Sequence, residues 1–164
     1  MFPPDLIARA TALIARYRAT GLMVATAESC TGGLIAGLLT EIPGSSTVLE
    51  RGFVVYSNAA KQELLGVPAE TLADYGAVSE HTARAMAEGA LSASRAEVAV
   101  SVTGVAGPDG GTAAKPVGLV HFACARRGMR TTAREERFGD IGRAAVRLAS
   151  VRVGLDLLET ALRR

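Results

Sequence analysis

The chain has 164 residues, of which 49% are apolar and 21% charged, and this balance excludes a disordered protein. Its net charge of +2, with three Tyr, four Phe and no Trp, disfavours a nucleic-acid partner. No apolar stretch approaches the roughly 20 residues of a membrane span, and the two His and two Cys show no metal-ligand spacing.

These limits predict one domain over residues 1–164, long enough for a substantial core. The segment Met1–Asp5 lacks the basic start and long apolar core of a signal peptide. We therefore expect a cytoplasmic protein with reduced cysteines, no metal, no cofactor and no membrane contact.

The first predicted helix runs from Asp5 to Thr20. Pro3 and Pro4 suit a helix start, Asp5 complements the positive end of the dipole, and Gly21 ends the helix. Its apolar residues recur at helical spacing and predict one buried face: Leu6, Ala10, Leu13, Ile14 and Tyr17.

The stretch Ala27–Gly33 lies between a short apolar run at 22–25, typical of a buried strand, and a helical pattern at 34–39. Its glycines let backbone approach a ligand, and a helix N-terminus offers unpaired N–H groups to an anion. We expect Ser29 at the helix start, where a capping role is more common than nucleophilic attack. The pattern is not a P-loop, since the final Lys and the spacing are missing.

A second strand is predicted within 48–57, followed by a helix over 59–65 that Ser57 or Asn58 caps. Tyr56 then lies at a strand end and Lys61 in the first turns of the helix, against the dipole preference. A solvated surface residue is the common role for Lys61. As a catalytic base it would need burial to lower its pKa.

Further helices are predicted over 68–75 and 79–94, and a strand over 98–102 leads into the glycine-rich loop 103–112. A strand over 117–125, a hairpin partner over 130–138 and a final helix over 141–162 complete the chain. Apolar residues at spacings of three and four mark the buried stripe of that helix: Leu148, Val151, Leu155, Leu158 and Leu162.

The alternation of helices and strands predicts an α/β protein built as a three-layer sandwich. Ligands in such sheets bind beyond the carboxyl ends of the strands. The Ser29 turn, the Tyr56–Lys61 corner and the loop 103–112 all follow strands, so we expect them to meet in one crevice. No acidic residue follows a dinucleotide-type turn, which argues against a Rossmann site.

Several alternatives stay open at this stage. Cys30 is a rival nucleophile, since thiol amidases pair Cys with Lys and Glu, and Glu28 is adjacent. Arg143 and Arg147, one turn apart, are either a solvated pair or a clamp for phosphate. Both histidines are expected to be structural: His81 near a helix start and His121 in mid-strand.

Three segments resemble, in order, the C-terminal domain of the competence-damage-inducible CinA proteins: Thr26–Gly33, Tyr56–Lys61 and Thr103–Gly118. The resemblance covers about residues 5–162. It implies a three-layer α/β/α fold with a mixed, mostly parallel sheet, a homodimer and no catalytic metal. That family includes stand-alone nicotinamide-nucleotide amidases, so the implied activity is deamidation of nicotinamide mononucleotide to nicotinate mononucleotide, with release of ammonia, in pyridine-nucleotide salvage.

The resemblance also implies roles for individual residues. Ser29 is the expected nucleophile, Lys61 its base and Tyr56 an assisting hydroxyl, while Thr103 lies near the oxyanion or the substrate amide. Arg143 matches a substrate-binding arginine when the alignment is counted back from Arg147, because the preceding turn is two residues longer here.

The remaining substrate contacts are expected from the two glycine-bearing loops, which would hold the phosphate together with Arg143: Cys30, Thr31, Gly32, Gly33, Thr103, Gly104, Gly107, Gly110 and Gly111. The rival hypothesis is a non-catalytic regulatory module that binds pyridine nucleotides in the same loops.

Overall fold

The computed structural model describes residues 1–163. Within this range helices and strands alternate, and a short 3-10 turn at Ser45–Thr47 precedes the second strand. The elements are α1 Pro4–Thr20, β1 Val24–Glu28, α2 Leu34–Thr40, β2 Leu49–Val54, α3 Asn58–Leu65, α4 Ala69–Tyr75, α5 Glu80–Ser92, β3 Val98–Gly104, β4 Leu119–Arg126, β5 Thr132–Arg137 and α6 Arg143–Ala161.

The strands form one mixed sheet in the order β2-β1-β3-β4-β5. β1 pairs in parallel with both β2 and β3, whereas β4 pairs antiparallel with β3 and with β5. Of the strands in the described range, β4 therefore runs against the other four. This arrangement confirms the α/β class with a mixed sheet in which most strands point the same way.

Helices cover both faces of the sheet, as a three-layer sandwich requires. Successive β3 residues point to opposite faces. Val98, Val100 and Val102 pack in a cluster with the apolar faces of α1, α2 and α6. Ala99 packs on the other face in a cluster with Leu65 of α3 and the alanine-rich side of α5.

The first helix matches its prediction closely. α1 has a proline in its first positions and Asp5 in its first turn, and Gly21 closes it in the left-handed conformation with φ of 69°. The five residues of the predicted face are all buried: Leu6, Ala10, Leu13, Ile14 and Tyr17.

The connection after β1 differs from the prediction. α2 begins at Leu34 with Gly33 at its N-cap, so Ser29 lies five residues before the first helical residue and does not cap the helix. A turn occupies the intervening positions. The physical reason is that Gly32 and Gly33 both adopt positive φ, which is incompatible with helix.

None of the helices within residues 1–163 combines the length and the apolar character needed to cross a membrane.

Candidate active site

Three neighbouring strands end at the same edge of the sheet. β2, β1 and β3 lie side by side and run in parallel, so their carboxyl ends meet there. Ser29 follows β1, Tyr56 follows β2 two residues after its end, and Thr103 is the penultimate residue of β3. The structure brings the three predicted segments together at the edge where α/β proteins bind ligands.

Lys61 reaches Ser29 from the fourth position of α3. Its Nζ lies 3.1 Å from Ser29 Oγ, 2.9 Å from the carbonyl oxygen of Val55 and 3.4 Å from that of Tyr56. Carbonyl oxygens only accept hydrogen bonds, so a neutral amine would donate its two N–H bonds to them. Its lone pair would then face the Ser29 hydroxyl.

The surroundings of Lys61 favour the neutral amine. The side chain is only 1% exposed, so Lys61 is not a solvated surface residue. Burial lowers the pKa of its amine from the ordinary 10.5, because desolvation penalises the ammonium form. None of the ion pairs found among residues 1–163 includes Lys61.

Glu28, the last residue of β1, is fully buried and turns its carboxylate to the start of α2. One oxygen accepts the Thr31 hydroxyl at 2.7 Å and the N–H groups of Gly33 at 3.2 Å and Ile35 at 3.0 Å. The other oxygen accepts the Ala36 N–H at 2.9 Å. An internal carboxylate therefore occupies the place where the sequence predicted a substrate anion.

This contact changes the roles expected in the turn. Thr31 and Gly33 bind Glu28, and neither they nor Gly32 line the cavity beside Ser29. The N–H groups at the N-terminus of α2 already have an acceptor, which argues against a phosphate there. The physical reason is local, because the side chain of a glutamate at the end of a strand is long enough to reach the start of the next helix.

Cys30 does line the cavity, although it is only 5% exposed. Burial raises the pKa of its thiol to about 12, with the Glu28 carboxylate acting in the same direction. The thiolate is the nucleophilic form of cysteine, and it is scarce at neutral pH when the pKa is this high. The geometry and electrostatics favour Ser29 over Cys30 as a nucleophile.

Tyr56 and Arg143 form one rim of the cavity. The Tyr56 side chain is exposed, and its hydroxyl lies 3.1 Å from Nη2 of Arg143, the first residue of α6. Arg143 Nη1 also donates to the carbonyl of Gly107 at 2.9 Å. The contact between Tyr56 and Lys61 is through the Tyr56 carbonyl, so the structure gives the phenol no direct bond to the amine.

The two arginines expected as a pair have separate positions. Arg143 lines the cavity, whereas Arg147 does not. The Arg147 guanidinium instead contacts the backbone carbonyls of Cys30 and Thr31. The Arg147 guanidinium is engaged by backbone carbonyls, so a phosphate contact stays a prediction for Arg143 alone.

Thr103 lies in the cavity wall with its hydroxyl donating to the carbonyl of Ala77 at 2.8 Å. Its proton is engaged, so the oxygen is available as an acceptor for a substrate N–H rather than as an oxyanion donor. In the following loop Gly104, Gly107 and Gly110 line the cavity, but Gly111 does not.

These groups surround a cavity of about 290 Å³, at the lower end of the range for small-molecule sites. Its basic side chains are Lys61 and Arg143, and its one carboxylate is that of Asp109, which sequence reasoning missed. The lining residues are Ser29, Cys30, Tyr56, Lys61, Ala77, Val78, Thr103, Gly104, Val105, Ala106, Gly107, Asp109, Gly110 and Arg143.

The histidines lie outside this cavity. His81 stacks on Tyr75 with ring centroids 3.6 Å apart. His121 lies on β4, 3.7 Å from Glu135, and burial lowers the pKa of its imidazole. Residues 1–163 hold no cluster of three His, Cys, Asp or Glu side chains suited to a metal ion.

The fold and the site define an α/β protein with a buried Ser–Lys pair in a small-molecule cavity. The chain belongs to the CinA C-terminal domain family, whose model matches residues 7–162.

The names of the curated relatives refer to CinA, to PncC or to competence damage. The chain is 55% identical over 150 residues to the nicotinamide-nucleotide amidohydrolase PncC of Enterobacter agglomerans, covering 91% of this chain and 88% of that protein. It is 54% identical to the protein of the same name from Escherichia coli K12, covering 86% and 85%. It is 53% identical to a CinA-like protein of Anaeromyxobacter dehalogenans, covering 98% of this chain but only 37% of that longer protein.

Solved structures of competence or damage-inducible proteins share this fold. The competence/damage inducible protein CihA from Agrobacterium tumefaciens superposes with a TM-score of 0.97 at 57% identity, covering 100% of this chain and 99% of that one. A competence or damage-inducible protein from Enterobacter asburiae superposes with a TM-score of 0.90 at 34% identity, covering 96% and 98%.

Proposed function

We propose that the chain is a nicotinamide-nucleotide amidase that hydrolyses nicotinamide mononucleotide to nicotinate mononucleotide and ammonia. The observation that carries the proposal is the 3.1 Å contact between the Lys61 amine and the Ser29 hydroxyl at the cavity wall. Ser–Lys pairs are an established variant of acyl-transfer chemistry. The names of the relatives from Enterobacter agglomerans and Escherichia coli supply the substrate class.

In the first step Lys61 acts as general base. Its neutral amine takes the Ser29 proton, and Ser29 Oγ forms a bond to the carboxamide carbon. The Val55 and Tyr56 carbonyls stabilise the resulting ammonium, since both already lie within reach of Nζ. The position of Lys61 therefore supports both of its protonation states.

The negative charge that develops on the carboxamide oxygen needs N–H donors. The groups nearest along the chain are the backbone N–H of Cys30 and Thr31, which directly follow the nucleophile. Loss of one oxyanion donor typically costs on the order of 3 kcal/mol of transition-state stabilisation. These two amides are the proposed oxyanion hole.

Collapse of the tetrahedral intermediate breaks the carbon–nitrogen bond. The Lys61 ammonium gives its proton to the departing NH₂ group, and ammonia leaves. The Thr103 oxygen orients that group by accepting one of its N–H bonds, because its own proton is held by Ala77. Water then attacks the acyl carbon, Lys61 takes its proton, and the proton returns to Ser29 as the acid product departs.

The rest of the nucleotide meets charges of both signs. Arg143 is the cation at the rim and is the proposed ligand of the phosphate, with N–H groups of the loop from Gly104 to Gly110. Asp109 supplies a carboxylate opposite in sign to the pyridinium ring of the substrate. A role in pyridine-nucleotide salvage in the cytoplasm, as a homodimer, belongs to the same proposal.

The direct test is ammonia release from nicotinamide mononucleotide, nicotinamide riboside and the intact dinucleotide, measured side by side with purified protein. We expect turnover of the mononucleotide and much weaker turnover of the riboside, which lacks the phosphate that Arg143 would bind. Tight binding of the mononucleotide by folded protein without ammonia release would instead favour the regulatory binding module.

A further inference from the structure

The turn after Ser29 is held from two sides by charged side chains. Glu28 takes N–H groups at the helical end of the turn, those of Gly33, Ile35 and Ala36. Arg147 donates hydrogen bonds to carbonyl groups at the other end, those of Cys30 and Thr31. The turn is therefore fixed by residues that do not themselves line the cavity.

Arg147 reaches the turn from α6, across 117 positions of sequence. Its Nε donates to the Cys30 carbonyl at 3.1 Å, and its Nη2 donates to the Thr31 carbonyl at 2.9 Å. Both bonds are charge-assisted and hence stronger than bonds between neutral groups. A planar guanidinium that binds two successive carbonyls fixes the orientation of the peptide plane between them.

Some N–H groups of the turn donate to a hydrogen-bond acceptor and others do not. Ser29 N–H donates to the Val102 carbonyl, and Gly32 N–H donates to the Ser29 carbonyl, each at 3.0 Å. Within residues 1–163, no acceptor on another residue takes the N–H of Cys30 or of Thr31. These are the two amides that follow the nucleophile: Cys30 lines the cavity, and the buried Thr31 lies directly behind it in the chain. The turn therefore leaves free the two donors that an oxyanion hole needs.

One of the free donors shares a peptide group with an Arg147 acceptor. The Cys30 carbonyl and the Thr31 N–H belong to the same trans peptide, and they point in opposite directions. A cation on the carbonyl fixes where the N–H points and withdraws electron density from it. Arg147 thus acts on the Thr31 N–H without touching the substrate.

Gly32 makes this approach possible. It adopts a φ of +60°, and a Cβ at this position would lie 3.3 Å from Arg147 Nη2. Any side chain would therefore crowd the guanidinium as well as strain the backbone. This contact explains why a glycine occupies position 32 without a role in binding phosphate.

We propose that Arg147 is a positioning residue that orients and polarises the Thr31 N–H as an oxyanion donor beside Ser29. The proposal rests on the Ser29 attack of the proposed function. In this proposal α6 supplies two guanidinium groups: that of Arg143 lines the cavity, and that of Arg147 orients the oxyanion hole.

The test uses a fluorophosphonate, which reports on the nucleophile and the hole without any nucleotide. Ser29 Oγ forms a bond to phosphorus, the phosphorus–fluorine bond breaks, fluoride leaves and Lys61 takes the hydroxyl proton. The labelling rate at Ser29, followed by peptide mass spectrometry, is compared among wild type, Arg147→Lys and Arg147→Ala. The matched control is Arg152→Ala, which removes an arginine of the same helix whose contact is the surface carboxylate of Asp5.

We expect labelling to slow by roughly 10- to 100-fold in Arg147→Ala, less than the roughly 10²- to 10³-fold of losing a donor outright, and to stay unchanged in Arg152→Ala. Added methylguanidinium should restore part of the rate in Arg147→Ala. With nucleotide substrate, kcat should fall while KM changes by less than about threefold, because only transition-state contacts are lost.

Wild-type rates in a folded Arg147→Ala protein would overturn the proposal, as would a wild-type chain that is not labelled at Ser29. If neither Arg147 variant folds, Arg147 is a structural residue and the proposal is also overturned. Labelling that depends on Arg147 in a chain that releases no ammonia would refute the amidase function and leave this inference intact.

Discussion

Glu28 and Lys61 are both buried beside Ser29, and the difference between their partners separates structure from chemistry. The Glu28 carboxylate accepts four hydrogen bonds from the turn and the helix that follow it. The Lys61 amine meets two carbonyls and a hydroxyl, and none of the ion pairs in the described range includes it. A buried carboxylate whose two oxygens both accept hydrogen bonds stabilises a fold, whereas a buried amine without a counter-charge is ready to exchange a proton.

The largest expected effect comes from Lys61→Met. Ammonia release should fall by roughly 10⁴-fold, because the general base is lost. Stability should stay within about 1 kcal/mol or rise, since an apolar side chain of similar length replaces a buried amine. Steady-state assays and urea unfolding measure the two effects.

The control for this change is Lys115→Met, which alters the only other lysine of the sequence. Its side chain lies outside the cavity and donates to the carbonyl of Tyr75. Activity should be unchanged there. Near-normal activity in Lys61→Met would remove Lys61 from the mechanism.

Glu28→Leu should lower stability first, whereas Lys61→Met lowers activity. The change leaves the Thr31 hydroxyl and three backbone N–H groups without their acceptor. We expect the free energy of unfolding to fall by about 3 kcal/mol or more, at roughly 1–3 kcal/mol for each buried unsatisfied group. Equal urea midpoints for this variant and wild type would show that the carboxylate does not hold the turn.

The pH dependence of stability offers a finer test of Lys61. Its pKa in the folded chain lies below the ordinary 10.5, so between these two values the unfolded chain binds the proton and the folded chain does not. Stability should therefore rise with pH across this window. The loss of stability caused by the buried Lys61 amine is complete below the folded pKa and absent above the ordinary 10.5.

Lys61→Met removes the group that causes this slope, so the variant should show a flatter curve in urea unfolding across the same pH range. In wild type, kcat/KM should rise as pH passes upward through the folded pKa, because only the neutral amine takes the Ser29 proton. Identical dependence of stability on pH in the two proteins would show that folding does not lower the pKa of Lys61.

The smallest effect is expected for Tyr56→Phe. The change removes the phenol oxygen that contacts Arg143 but keeps the Tyr56 carbonyl that contacts Lys61. One net hydrogen bond is worth about 1 kcal/mol, so KM should rise by roughly 3- to 10-fold with little change in kcat. A fall in kcat of two or more orders of magnitude would instead give the phenol a direct part in proton transfer.

Much of the fold follows from local pattern. The buried face of α1 could be read from the spacing of its apolar residues, and the three functional segments from the ends of predicted strands. Lys61 stands out in the sequence because a cation in the first turns of a helix opposes the dipole. Its burial explains the conflict.

Other features depend on contacts that spacing does not encode. From the sequence alone, the glycines at 32 and 33 suggest a ligand loop that begins a helix near Ser29, whereas in the structure Glu28 binds the helix start and α2 begins at Leu34. Arg143 and Arg147 are indistinguishable by position on one helix, yet one lines the cavity and the other binds backbone over 100 residues away. An acidic residue at the end of an apolar strand was the available signal for Glu28.

In the proposed mechanism Ser29, and not its neighbour Cys30, attacks the carboxamide. Ammonia release from nicotinamide mononucleotide by wild type, Ser29→Ala and Cys30→Ala, each shown to be folded, tests it most directly. We expect release by wild type, release within about threefold of wild type by Cys30→Ala, and none above background by Ser29→Ala, since a thiol with a pKa of about 12 is a poor nucleophile at neutral pH. Full activity in Ser29→Ala together with its loss in Cys30→Ala would make Cys30 the nucleophile.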